Sequence, residues 1–137
     1  MNPITLANLP QASAQDVLDH VASHLLTQGE RALSLEPGAP DETIACVYRT
    51  STGLKDAAGC LMTDEEYDVD MEGYTWESLA LAGVVPHRHS ALINALSGVH
   101  DNYRPEQWKS RLLNVAFLFN LGTAAIEPLT LSKPASE

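Results

Sequence analysis

Three groups of side chains in this sequence have residue types and spacing suited to chemistry. Asp68, Asp70, Glu72 and Gly73 put oxygen ligands on alternate residues with a glycine directly behind them. A calcium loop fills its first, third, fifth and sixth positions in this way. The twelfth position, where such a loop closes on a bidentate glutamate, is Leu79, and Glu77 stands two residues early. Asp16, His20 and His24 recur every four residues, so a helix would line them along one stripe, as a zinc-peptidase helix lines its two histidines. Val21 stands where that chemistry needs a glutamate as general base, and the stripe is expected to be solvated polar surface. His87 and His89, one residue apart, could chelate a metal or titrate together near neutral pH if His100 or Asp101 supplied a third ligand.

The two cysteines, Cys46 and Cys60, are the candidate nucleophiles, with His87, His89 or His100 as a base. A reactive thiol needs an electropositive setting, and Cys60 precedes seven acids between Asp64 and Glu77. Both are expected to be reduced thiols on strands facing the core. No phosphate loop, dinucleotide fingerprint or serine nucleophile elbow occurs. The residues therefore predict no catalytic group and no cofactor.

Charge is the stronger signal. The 137 residues carry 18 acids and 8 bases, a net charge of -10, which excludes a protein built to grip nucleic-acid phosphates. Residues 56–77 hold eight of the acids and no lysine or arginine. Among them stand Tyr67, Tyr74 and Trp76, the residue types that dominate interface hot spots. Asp64, Glu65, Glu66, Tyr67, Asp68, Asp70, Glu72, Tyr74, Trp76 and Glu77 are thus the candidate partner-binding residues, facing a protein with a basic surface.

The elements that must position these groups follow from periodicity. Val17, Leu18, Val21, Ala22, Leu25 and Leu26 predict a helix over 14–28, opened by a Ser13/Asp16 capping box and stopped by Gly29. Residues 30–43 read as a loop; 44–49 and 57–62 read as two strands of an antiparallel hairpin turning at Ser51–Gly53. Thr63 and Glu66 suit a single capped turn, and Thr75 starts a short helix ending near Gly83. A third helix runs over about 89–100. A fourth starts at Pro105 and is apolar nearly all round from Trp108 to Leu121, either the central helix or the seam of a homodimer. The expected fold is α+β, a mainly helical domain over 13–122 with about four helices and one small hairpin. A 1–12 arm precedes it and a partly mobile 123–137 tail follows. The N-terminus has no cationic start or apolar block, and the longest uncharged stretch, Leu112–Ile126, is too short to span a membrane. The expected location is cytoplasmic.

Cys46-Val47-Tyr48-Arg49, Gly53-Leu54-Lys55, Gly59-Cys60-Leu61 and Asp64-Glu65-Glu66-Tyr67 together resemble a family of small uncharacterised bacterial and phage-borne proteins. The likeness extends loosely through Tyr103, Pro105, Glu106 and Trp108. In that family a cysteine often follows the lysine; this chain has Asp56 there, so a metal or redox site built on that cysteine would be lost. The resemblance implies a bacterial or viral setting and no particular reaction. Setting and charge together predict a non-catalytic acidic binding protein, a phage-encoded or accessory inhibitor of a basic host protein. The alternative is a small metal-binding protein or metal-dependent hydrolase using the acidic loop and histidines.

Overall fold

The computed structural model describes residues 3–35 and 44–132. Four helices form the body: α1 (Ala14–Gln28), α2 (Trp76–Leu81), α3 (Ser90–Asn102) and α4 (Pro105–Leu118). Helix α1 begins as its sequence dictates. Ser13 Oγ accepts from the Asp16 N–H while the Asp16 carboxylate accepts from the Ser13 N–H, so two N-terminal donors are satisfied reciprocally. It ends at Gly29, whose φ of +69° suits the left-handed cap that glycine adopts without strain.

Helices α1, α3 and α4 pack on one another, and α2 packs on α3. Leu18 and Leu25 of α1, Ile93 and Leu96 of α3, and Trp108 and Leu112 of α4 are fully buried at their junction. Both ends of the described chain join this core through Ile4, Leu9 and Ile126. The Lys109 ammonium holds the carbonyls of Glu127 and Leu129, and the Ser132 N–H donates to Leu26 O, so residues 123–132 are tied to the body. On α4, Trp108, Leu112, Val115 and Ala116 face inward, whereas Phe117 and Leu118 stand 80% and 67% exposed. Among the described residues, no helix is long and apolar enough to cross a membrane.

The expected α+β class and its hairpin are overturned: the molecule is mainly helical. Residues 57–62 form no strand. The Asp56 side chain accepts from the N–H groups of Ala58 and Gly59, and this capping curls the chain into a 3-10 turn, Gly59–Leu61. Glycine is needed at 59 because a Cβ there would overlap the carbonyl oxygen of Tyr48. Among the described residues, the antiparallel pairing is three residues long, β1 (Leu33–Leu35) against β2 (Ile44–Cys46), and a single bridge joins Arg49 to Lys55. The remainder of the expected 30–43 loop lies outside the described residues.

Candidate functional site

A cavity of about 280 Å³ opens between β2, the 72–76 segment and α3. Tyr48, Tyr74 and Trp76 supply aromatic wall, and Asp56, Glu72 and Asp101 supply carboxylates. Asn94 and Ser97 complete the α3 side, seven and four residues before Asp101, so one polar stripe of that helix faces the cavity. Among the described residues, no lysine or arginine lines it.

Each wall residue is held by neighbours. Glu72 accepts from the Tyr48 N–H at 3.0 Å, the Arg49 N–H at 3.2 Å and the Tyr67 hydroxyl at 2.7 Å. The Tyr48 hydroxyl donates to the Tyr74 carbonyl, and burial together with Asp56, Glu72 and Asp101 pushes its pKa up. Asp56 is 5% exposed; burial outweighs its two N–H donors and, with Asp101 and Glu72 nearby, raises its pKa to about 8. Trp76 is 4% exposed, and its indole N–H is buried with no partner among the described residues.

The predicted partner-binding residues divide into two sets. Glu65, Asp68, Asp70 and Glu77 are exposed, as is Tyr74 at 61%. The others are spent internally. Asp64 pairs with Arg49, which holds the carboxyl below its usual range. Burial works against the charged form of Glu66, but accepting from the N–H groups of Thr63, Leu6 and Ala7 lowers its pKa overall. Tyr67 bonds Glu72 and lies under the Arg49 guanidinium.

The metal candidates do not converge. Asp68 accepts from the Asp70 N–H, and Glu72 is committed to its three donors, so the acidic loop offers no shared centre. His20 and His24 are half-buried rather than solvated. Their Nε2–H groups donate to the carbonyls of Cys60 (2.8 Å) and Lys55 (2.9 Å), clamping the 55–60 turn onto α1 along an open groove of about 910 Å³. Burial lowers the His24 pKa. His87 is exposed, and His89 donates to the Ala12 carbonyl at 2.7 Å.

Among the described residues, one group has three ligating atoms within 4.8 Å of one another: Cys46, His100 and Asp101. Sequence reasoning offered His100 as a base for a cysteine and His100 or Asp101 as a third ligand beside His87 and His89, but not these three as one group. His100 is fully buried and stacked on Trp108, with ring centroids 5.5 Å apart. Its Nε2 accepts from the Ala32 N–H at 2.9 Å, so the ring proton sits on Nδ1 and points to Asp101 at 2.7 Å. Neither nitrogen is free to ligate a metal or to take the Cys46 proton. Burial and Asp101 raise the thiol pKa to about 11, so Cys46 is no nucleophile at neutral pH. Cys60 is likewise pushed up by burial and Asp56.

Sequence reasoning also missed Tyr48, Asn94 and Ser97 as cavity residues. The polar 94–97–101 stripe was legible as helical spacing, but nothing local showed which segment it would face. Comparison with protein-family models, with curated proteins and with solved structures finds no match for this chain, so the reading of the site rests on its own geometry.

Proposed function

We propose that this is a non-catalytic binding protein that engages a basic surface of a partner protein through residues 56–77. It would act in the cytoplasm, in the manner of a phage-encoded or accessory inhibitor. One observation carries the reading: the exposed acids Glu65, Asp68, Asp70 and Glu77 stand on the same segment as the exposed Tyr74, beside a cavity walled by the carboxylates of Glu72 and Asp101 and, among the described residues, by no lysine or arginine. Such a face attracts a basic partner over roughly a Debye length, about 8–10 Å at physiological salt, and offers aromatic area once contact is made. A basic groove covered in this way is closed to nucleic acid.

The test is capture from a bacterial lysate on immobilised protein, alongside the charge-reversed variant Glu65→Lys/Asp70→Lys/Glu77→Lys. A basic protein should be held at low salt, released at high salt or by excess duplex DNA, and not held by the variant. Equal retention by the variant, or no basic protein at low salt, defeats the reading.

A further inference from the structure

We infer that the cavity between the 72–76 segment and α3 is a receptor for one cationic side chain, the ammonium of a lysine or the guanidinium of an arginine, presented on a peptide of the partner. This rests on the binding reading above and names the chemistry of its centre.

Two features of the wall fit such a ligand together. Tyr48, Tyr74 and Trp76 line one small cavity, and aromatic faces attract cations through their quadrupole. Glu72 and Asp101 add carboxylates, and among the described residues no basic residue of the wall neutralises them. A desolvated cation would find acceptors on one side and ring faces on another. Trp76 also carries an indole N–H that is buried and without a partner among the described residues, so its resonance reports on this wall without being a contact of the ligand.

The test uses the full chain labelled with ¹⁵N and three probes: N-acetyl-lysine methylamide, N-acetyl-arginine methylamide and the neutral N-acetyl-norleucine methylamide. The protein has two tryptophans, and Trp108 provides an internal reference because its Nε1–H already donates to the Tyr103 carbonyl at 3.1 Å. Millimolar lysine or arginine probe should shift the Trp76 indole N–H resonance saturably and leave that of Trp108 in place, while the norleucine probe shifts neither. Comparing the two charged probes distinguishes ammonium from guanidinium. Tyr74→Ala and Asp101→Asn should each weaken the charged probe about fivefold. The second keeps an oxygen that can accept from His100 Nδ1–H. A Trp76 resonance that stays still with both charged probes, or moves equally with norleucine, overturns the inference. A lysate partner captured by wild-type protein with Trp76 unmoved would leave the acidic-face reading standing and remove the receptor. Saturable Trp76 shifts with no captured protein would do the reverse.

Discussion

Asp56 shows how one side chain can set both a local shape and a pH response. Its Oδ1 accepts from Ala58 N–H at 3.0 Å and Gly59 N–H at 2.6 Å, and these bonds make the turn that replaces the expected second strand. They also favour the charged form, yet burial is stronger and holds the pKa near 8 against a usual 3.8. The folded protein therefore keeps a proton here that the unfolded chain releases above about pH 4. Stability from this group is fully present below 3.8 and is lost as pH rises toward about 8, because over that window the native state binds more protons than the unfolded one. Asp64 and Glu66 have lowered pKa values and act in the opposite direction, so wild-type stability alone mixes the two effects. Asp56→Asn separates them, since an amide oxygen can still accept from both N–H groups and carries no titrating proton. Urea unfolding at pH 4.5, 6 and 8 should show wild type losing stability relative to the variant as pH rises. Parallel curves would mean that Asp56 is not held neutral.

At the level of elements, the sequence was most readable where a helix carries its own signals. The Ser13/Asp16 box and Gly29 bound α1 at the residues expected, and Thr75 and Pro105 open α2 and α4. The 57–62 segment misled because Ala57, Leu61 and Met62 are buried, as strand residues would be, while the deciding contacts are an aspartate one residue earlier and a carbonyl eleven residues back from Gly59. The His20–His24 stripe misled for a similar reason: its partners, the carbonyls of Lys55 and Cys60, are more than thirty residues away. The Thr63/Glu66 turn was anticipated, but its second task was not. Glu66 accepts from Thr63 N–H at 2.8 Å within the turn and from Leu6 and Ala7 N–H at 2.9 and 3.0 Å across it, so one carboxylate fastens the N-terminal segment to the acidic one. Glu66→Ala should cost about 1–2 kcal/mol in chemical denaturation. It should also speed amide exchange at Leu6 and Ala7 well beyond the change at α1 residues such as Leu18. The tether should weaken as pH falls through the carboxylate range, because the lowered pKa marks a carboxylate whose charged form the fold favours. Unchanged exchange at Leu6 and Ala7 in the variant would show that Ile4 and Leu9 hold the segment by packing alone.

For the whole molecule, a net charge of -10 on 137 residues is a standing repulsion that folding must overcome. In many proteins this is offset by ion pairs, and added salt then weakens attraction and repulsion together. Here the offset is small. Among the described residues, Arg49 with Asp64 is the one pair between an arginine or lysine and a carboxylate, and Asp64 is 85% exposed. Two other bases are used differently: Arg31 donates to the Tyr103 carbonyl and Lys109 to the Glu127 and Leu129 carbonyls. Such contacts to neutral acceptors lose less to screening than an exposed ion pair does. Raising sodium chloride from about 10 mM to about 150 mM shortens the Debye length from about 30 Å to about 8 Å, so the mutual repulsion of the acids falls while little attraction is sacrificed. The melting temperature at pH 7 should therefore rise over this range. The Glu65→Lys/Asp70→Lys/Glu77→Lys variant, six charges less negative, should start higher at low salt and gain less from added salt. The two features belong to one arrangement: an acidic face whose Glu65, Asp70 and Glu77 pair with no cation among the described residues costs stability in isolation and is what a basic partner would relieve. A melting temperature that falls with salt in the wild type would mean that attractive pairs dominate the fold, and the acidic segment would then be no more than a solvated surface.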